Sequence, residues 1–527
     1  MKSVMSKNFS TSPMPAVPRS VFKRNFGHKT TFDADYLVPV MTDIAYPGDS
    51  KKLRMSAFAR IASPLQAPLM DNIKMTSFFF AVPHRLVWDN WEKFNGAQDN
   101  PDDSIDFTIP IMTAPASGGV ANGDLSDYFG IPTEVDSLEF SCLWHRAYNL
   151  IYNEWFRDEN LQDSVTVDTG DAASTYTDYV LLKRGKRYDY FTACLPWPQK
   201  GSEVTLPLGT SAPLSVVPSE ESYPFINFSD ASDPRVSFRS SGAGGAVSTL
   251  VQQDSGSFAS NEFMHINPDH LIADLSTATA ANINQLREAF ATQHVLERDA
   301  RGGTRYVELI KSHFGVTSPD YRLQRPEYLG GGSSSVNINP IAQTSESGTT
   351  DQGTLTAIGT AAINGHGFNK SFTEHCLIIG LVSVQADLTY QSGLDRIFSD
   401  STRYDFYLPS FAHLGEQAVL NKEIFAQGTS ADDDVFGYQE RWAHLRYKNS
   451  LITGQFRSNY AQSLDIYHLS QDFAALPGLD DTFIQSNTPM DRVVATPSEP
   501  HFLFDSYFEY TDARPLPVYS IPGLGKL

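Results

Sequence analysis

The clearest pattern along the chain is a series of short hydrophobic segments separated by turn-forming residues. Segments 30–46, 73–88 and 375–390 are rich in β-branched and aromatic residues, as β-strands are. The third is apolar enough to be buried on both faces, and the second should end at Pro83, which has no N–H to donate to a neighbouring strand. Four further strands are predicted, at 402–411, 437–448, 464–473 and 501–511.

Strands of this length separated by turn-rich loops favour antiparallel pairing into a sandwich or barrel, so the predicted fold class is mainly β. Two low-complexity stretches, 228–262 and 330–360, interrupt the pattern. A long loop of this kind inside a compact domain is usually functional or disordered.

Three segments instead show apolar residues at the three-to-four-residue spacing of an amphipathic helix. Helices are predicted in 137–156 and 281–299, and a third begins at about Tyr306 and stops at Gly315. We expect all three apolar stripes to pack against the β core.

The charge distribution limits the classes of function that the chain can have. The formal net charge is −21, which argues against a protein that coats nucleic acid, so any contact with a polyanion must be local. Positive charge is concentrated in two places. Residues 1–32 contain six basic side chains, Lys23 and Arg24 among them, and no acidic one. They are either a frayed terminus or an extended basic arm along an anionic or acidic neighbour.

The second concentration is LLKRGKRYDYFTACLPWPQKG, residues 181–201, which we call the basic–aromatic segment. It holds Lys183, Arg184, Lys186 and Arg187, followed by aromatic residues.

The sequence shows no signature of catalysis: it has no G-x-S-x-G, H-E-x-x-H, Walker A or C-x-x-C pattern. We therefore expect no enzyme activity and no cofactor. A weak candidate for a structural divalent cation is Asp432, Asp433 and Asp434, with a solvated loop or a helix cap as the favoured alternative. Three scattered cysteines fit a reducing compartment. Neither a secretory signal nor membrane insertion is expected.

Longer strings resemble one family in order along nearly the whole chain. They include VPRSVFKRNFGHKTTFDADYLVPV, FFFAVPHRLVWDNWEKFNG, LLKRGKRYDYFTACLPWPQKG, SFTEHCLIIGLVSVQADLTY and FAHLGEQAVLNKEIFAQGTSADDDVFGYQERWAHLRYK. These strings resemble the major capsid proteins of gokushoviruses, small single-stranded DNA bacteriophages of the Microviridae.

The resemblance implies an eight-stranded antiparallel jelly-roll barrel with long inserted loops and a few helices. Residues 33–527 would form this one domain, with an extended tail from about residue 513. Copies would assemble through pentamers into a T=1 icosahedral shell around circular single-stranded DNA, in the host cytoplasm, and remain in the virion. An insertion at about 209–275 would form protrusions at the three-fold axes for host attachment, without identifiable contact residues.

The implied partners are further copies of the chain, the packaged DNA, a small basic DNA-binding peptide, an internal scaffolding protein, a DNA pilot protein and a host surface receptor. In this setting the basic–aromatic segment has two interpretations. Its cations and rings could neutralise phosphates and stack bases. Alternatively, a hairpin turn at Gly185 presents the charges to acidic loops of a neighbouring copy, which the sequence favours. Lys23 and Arg24 are candidates for the same contacts.

A carbohydrate-binding β-sandwich surface protein is the alternative function, because long polar loops on a sandwich also suit lectins. The absence of a signal peptide and of paired cysteines counts against it.

Overall fold

The computed structural model describes residues 17–202, 204, 214–216, 228–229, 263–264, 271–273, 283–317, 324–346, 348 and 351–519. The chain divides into two compact units, which are described separately. The larger unit comprises Met1–Pro198 and Gly302–Leu527, and the smaller comprises Gln199–Arg301.

The strands of the described residues, in chain order, are β1 (Arg19–Lys23), β2 (Phe26–Phe32), β3 (Val38–Ala45), β4 (Ser50–Ile61), β5 (Ile73–Pro83), β6 (Ile111–Thr113), β7 (Glu139–Ser141), β8 (Leu214–Val216), β9 (Phe228–Ser229), β10 (Phe263–Met264), β11 (Leu271–Ala273), β12 (Glu327–Ser335), β13 (Asn337–Ala342), β14 (Leu355–Ser371), β15 (Cys376–Ala386), β16 (Glu416–Leu420), β17 (Val435–Glu440) and β18 (Phe502–Pro515). The helices are α1 (Trp91–Phe94), α2 (Leu125–Tyr128), α3 (Leu143–Trp155), α4 (Ile283–Arg301), α5 (Tyr306–Phe314), α6 (Asn421–Ile424), α7 (Ala443–Arg446) and α8 (Asp481–Ile484).

Two antiparallel sheets organise the larger unit. The first has the strand order β1-β18-β4-β14-β13, and β2 also pairs with β18. The second has the order β12-β5-β15-β3. The pairs β6–β7 and β16–β17 form small separate sheets. In the smaller unit, β8 pairs with β11 and β9 with β10. The expectation of a mainly β, antiparallel fold with few helices is confirmed.

The two large sheets share one hydrophobic core. Alternate residues of β4 point inward, because successive side chains of a strand face opposite sides of the sheet. They meet inward-facing residues of β18, β5 and β15 in one cluster, which includes Leu53, Met55, Met75, Phe79, Ile378, Val382, Phe504 and Phe508. This is the arrangement of a β-sandwich.

Strand β15 is buried along its whole length, as predicted for 375–390. Its side chains Ile378 and Val382 belong to the core between the sheets. Leu377 and Ile379 face the other way and pack in a second cluster with Ile151 of α3. One amphipathic helix thus covers the outer face of the second sheet.

The local strand predictions had mixed outcomes. Strand β5 ends at Pro83 and β18 contains most of 501–511, so both predictions are confirmed. Segment 30–46 is two strands, because Asp35 adopts a left-handed conformation with φ of 73° between β2 and β3. Segment 437–448 changes from β17 to α7 at Trp442, which also has a positive φ of 69°.

The strands predicted at 402–411 and 464–473 are wrong. Short 3-10 turns occupy both segments. In the first, the Asp405 carboxylate accepts the N–H groups of Ser401 (3.1 Å) and Thr402 (2.6 Å), so local hydrogen bonds replace strand pairing.

All three predicted helices are present, and Gly315 ends α5 in a left-handed conformation with φ of 68°, as predicted. The expected packing holds only for α3. On α5, Tyr306 and Phe314 are 76% and 77% exposed, and on α4 Ile283 and Phe290 are also exposed. For these two helices the prediction that the apolar stripe is buried is wrong.

Most of the predicted insertion at 209–275 lies outside the described residues. Within the predicted arm of residues 1–32, β1 and β2 pair with β18, and residues 1–16 are not described. The predicted tail from about 513 begins inside β18. No helix in the described part of the chain combines the length and the apolar character needed to cross a membrane.

Candidate nucleic-acid interface

The first part of the basic–aromatic segment, around Arg184, runs in extended form between two other segments of the larger unit. The N–H of Arg184 donates to the carbonyl of Asp35 (2.8 Å), and its own carbonyl accepts from the N–H of Ser486 (2.9 Å). Gly185 forms an antiparallel bridge with Gln485. The predicted hairpin turn at Gly185 is therefore wrong, because backbone partners on both sides hold this stretch extended.

Arg184 and Lys186 have aromatic neighbours. The Arg184 guanidinium lies 5.0 Å from the ring centre of Phe78, and burial, followed by the charge of Arg187, lowers its pKa to about 10. The Lys186 ammonium lies 4.2 Å from the ring centre of Phe483. Burial lowers the pKa of Lys186 to about 8, because the charged form loses solvation.

Lys183 and Arg187 each have a polar partner, and Lys183 has an aromatic neighbour as well. Lys183 donates to the side-chain oxygen of Asn487 (3.3 Å) and lies over the ring of Tyr36. Arg187 forms an ion pair with Asp387 at 3.3 Å. The four cations therefore have different partners.

Three of them, Arg184, Lys186 and Arg187, line a cleft of about 640 Å³, which we call the Arg184 cleft. Its wall contains six basic side chains, three acidic ones and six aromatic rings. The complete lining is Phe78, Phe80, Glu154, Trp155, Phe156, Arg157, Asp158, Arg184, Gly185, Lys186, Arg187, Tyr188, Arg305, Glu308, Arg325, Tyr328 and Ile484. This excess of positive charge contrasts with the net charge of −21 on the chain.

Three of the aromatic rings of the cleft, from three different elements, lie against one another. Phe80 of β5 lies 5.6 Å from Trp155 of α3 and 5.5 Å from Tyr328 of β12, between ring centres. The Trp155 indole N–H donates to the carbonyl of Pro326 (2.9 Å), which fixes the ring. Trp155 and Tyr328 remain 40% and 42% exposed, so part of each ring faces solvent.

The basic side chains of the cleft fall into two groups. Arg157, Arg187 and Arg305 each have a carboxylate within 4 Å; the Arg305 guanidinium lies 2.8 Å from Glu159, for example. Arg184, Lys186 and Arg325 form no ion pair within the described residues, and each lies over an aromatic ring. These three are the cations whose charge an incoming anion could neutralise.

Sequence reasoning found the cations of the basic–aromatic segment but missed the rest of the cleft. Trp155, Arg305, Arg325 and Tyr328 are far from Arg184 in the chain, and only the pairing of β12 with β5 and the packing of α3 bring them near it. No local signal in the sequence marks them as one site.

The two candidate cations of the N-terminal arm have different environments. Lys23 is exposed on β1. Arg24, itself 43% exposed, lies at the edge of a cluster of three basic and three acidic side chains whose centre is buried, which we call the ion network: Arg24, Lys51, Arg514, Asp43, Asp49 and Asp512.

The ion network is closely paired. The Lys51 ammonium lies 2.7 Å from Asp43 and 2.9 Å from Asp512, and Arg24 donates twice to Asp43 (3.0 and 3.1 Å). Burial alone would raise the pKa of Asp43, but hydrogen bonds from Arg24, Lys51 and Tyr510 lower it below its usual value. Arg24 therefore forms ion pairs within the folded chain.

The carboxylates of the predicted cation site have different partners within the chain. The Asp432 carboxylate accepts the N–H groups of Gln427 (2.9 Å) and Gly428 (2.6 Å), and these bonds lower its pKa. Asp433 pairs with Lys422 at 2.8 Å. Among the described residues no three His, Cys, Asp or Glu side chains are grouped to hold a metal ion. A cation at Asp432, Asp433 and Asp434 stays a prediction.

Comparison with known proteins gives a consistent result. A family model described as "Capsid protein (F protein)" matches residues 10–524. Capsid protein VP1 of Bdellovibrio phage phiMH2K is 50% identical over 524 residues, covering 98% of this chain and 97% of that protein. Capsid protein VP1 of Chlamydia phage 1 is 43% identical, covering 100% and 99%. Capsid protein VP1 of Spiroplasma virus 4 is 38% identical, covering 100% of both chains.

Proposed function

Because this chain belongs to the capsid protein (F protein) family, we propose that its copies form pentamers that close into a T=1 icosahedral shell around the circular single-stranded DNA of a bacteriophage. The chain is a structural component of the virion, and the role of its family is structural rather than enzymatic. The observation that carries the proposal is the match over residues 10–524, because it spans both sheets. The relatives are capsid proteins, which gives no support to the carbohydrate-binding alternative.

The fold is best explained as an eight-stranded jelly roll. Eight of the strands, numbered one to eight along the chain, are β2, β3, β4, β5, β12, β14, β15 and β18. In the first sheet their order is one, eight, three, six. In the second sheet their order is two, seven, four, five. Strands that are consecutive in the chain lie in different sheets, except for the fourth and fifth, which pair within one sheet. Two nested Greek keys produce such an order, and jelly rolls are common in viral capsids. The other strands are additions at the sheet edges or in loops.

The surface of the larger unit supports contacts between copies. Several large apolar side chains are at least 70% exposed: Met70, Tyr188, Tyr306, Phe314, Phe398 and Leu451. Scattered apolar residues are normal, but aromatic residues are enriched at the cores of protein interfaces. In a shell, neighbouring copies would cover many of these side chains.

The insertion at 209–275 is proposed to form the three-fold protrusions that attach to a host receptor. Its support is the resemblance and its position inside the smaller unit, Gln199–Arg301. Deleting residues 209–275 should leave particle assembly intact and abolish adsorption to host cells. Loss of assembly would instead make the insertion a folding element.

Further proposed partners are the packaged DNA, a small basic DNA-binding peptide, an internal scaffolding protein and a DNA pilot protein. A nuclease-protection assay tests the first of these. Purified particles should protect circular single-stranded DNA from added nuclease, and heat-opened particles should release it. Particles that contain no nucleic acid when isolated from an infected host would contradict genome enclosure.

A further inference from the structure

We propose that the Arg184 cleft binds a nucleotide of single-stranded DNA, with the base against Trp155 and Tyr328 and the phosphate at Arg184 and Arg325. The inference rests on the proposed function, because a capsid that encloses DNA supplies the ligand. It adds a defined site, its chemistry and its lack of sequence preference. Three independent features of the cleft support it.

The first feature is charge. The cleft has twice as many basic as acidic side chains in a strongly acidic protein. Within the described residues, Arg184 and Arg325 have aromatic neighbours but no carboxylate partner. An arginine without an internal anion can donate two parallel hydrogen bonds to a phosphate, which carries the sequence-independent part of nucleic-acid binding.

The second feature is the aromatic wall. Trp155 and Tyr328 lie 6.1 Å apart between ring centres, each partly exposed. Both rings pack against Phe80. Exposed rings fixed beside cations are what proteins use to hold single-stranded nucleic acid, because every base has a π-face that can stack on them.

The third feature is size. A volume of about 640 Å³ lies within the roughly 300–1,000 Å³ range of small-molecule sites, so the cleft is large enough for one nucleotide but not for a folded partner. An acidic peptide from a neighbouring copy would use the cations but not the stacking surface. The rings therefore favour nucleic acid over that alternative.

The test uses the full-length chain before assembly and a fluorescein-labelled octathymidylate, with binding followed by fluorescence anisotropy. Arg184→Gln and Arg325→Gln should each weaken binding about tenfold, the loss expected for one charge-assisted contact. Each should also reduce the slope of log affinity against log salt concentration by about 0.7, the value for one lost phosphate contact on a single strand.

Lys183→Gln is the matched control. Lys183 is adjacent to Arg184 and carries the same charge, but it does not line the cleft. Its substitution should change affinity less than about twofold. Tyr328→Leu and an abasic oligomer of the same length should each weaken binding about tenfold, whereas octaadenylate should bind within about threefold of octathymidylate. Circular dichroism and thermal unfolding exclude variants that fail to fold, and Arg325→Gln remains informative if Arg184→Gln does not fold.

Equal weakening by Lys183→Gln and Arg184→Gln, or no effect of either cleft arginine, would overturn the inference. So would variants that keep DNA affinity but lose self-association, because the cleft would then be a contact between copies. In each case protection of DNA by intact particles would still hold, so failure of this site is distinguishable from failure of the proposed function.

Discussion

Six charged side chains of the ion network meet where β3, β4 and β18 come together. Lys51, Asp49 and Asp512 are fully buried, and Arg24 links the network to the N-terminal strands. Burying charges is costly, and such clusters persist only when each charge has close partners. The network therefore holds the first strands of the chain against the last one.

Replacing one member of the network should be strongly destabilising. Lys51→Met leaves Asp43, Asp49 and Asp512 without their shared cation, and we expect it to lower the free energy of unfolding by about 3–5 kcal/mol. Lys29→Met, which removes an exposed ion pair with Asp505, should cost less than about 1 kcal/mol. Urea unfolding of the unassembled chain measures both, and equal effects would contradict the assigned role of the network.

Two buried histidines make stability depend on pH. Burial lowers the pKa of His145 to about 3 and that of His84 to about 4, from 6.5. Below pH 6.5 the unfolded chain therefore binds protons that the folded chain does not, and stability falls as the pH drops towards those values. The loss per histidine is about 1.4 kcal/mol for each pH unit.

His145→Gln should reduce this acid sensitivity. Between pH 7 and pH 5 the variant should lose about 2 kcal/mol less stability than the parent chain, whatever its stability at pH 7. Urea unfolding at both pH values measures the difference. His413→Gln, which removes an exposed imidazole, is the matched control substitution. An identical pH dependence in the His145 variant would contradict the assignment of a neutral buried imidazole.

Among the strands and helices, the sequence correctly predicts those whose apolar pattern and ends can be recognised within the segment itself. Strands β5, β15 and β18 and helices α3 and α5 have strong apolar patterns and clear ends such as Pro83 and Gly315. By contrast, β12 and β13 lie in the Ser- and Gly-rich stretch 330–360 and have no such pattern. They are strands because neighbouring strands supply their hydrogen bonds, which is a tertiary effect.

The same limit applies to the Arg184 cleft. Its basic–aromatic segment is visible in the sequence because four cations fall within five positions, whereas Arg325 and Tyr328 contribute only through the pairing of β12 with β5. Helices α4 and α5 show a different limit of the sequence. Their helical periodicity correctly predicts a helix, but it does not predict whether the apolar side of that helix is buried.

Glycines in β12 permit its close approach to β5. A Cβ atom on Gly331 would lie 2.1 Å from the carbonyl oxygen of Ser77, so Gly331→Ala should force the strands apart and cost roughly 1–3 kcal/mol of unfolding free energy. Gly170→Ala is the matched control and should have little effect, because a Cβ atom added there would have no non-neighbouring atom within 4 Å. Thermal unfolding compares the two, and an unchanged Gly331→Ala protein would contradict this packing.

At the scale of the whole molecule, a capsid protein must keep apolar surface for its neighbours. Helix α5 leaves about three quarters of the Tyr306 and Phe314 side chains exposed although its sequence predicts a packed face. We predict that a neighbouring copy covers these side chains in the shell, because aromatic residues are enriched at the cores of protein interfaces.

The double variant Tyr306→Ser with Phe314→Ser separates folding from assembly. Because both side chains are exposed, the unfolding free energy of the unassembled chain should change by less than about 0.5 kcal/mol for each. The yield of particles, measured by sedimentation, should fall several-fold. A normal yield would show that α5 does not contribute to the contacts between copies.

The most direct test of the capsid role is the mass and shape of the purified native protein, measured by sedimentation with negative-stain imaging. Copies of the chain should form closed shells of one uniform diameter. Discrete monomers or pentamers that do not close into shells, even when the proposed internal scaffolding protein is added, would contradict this role.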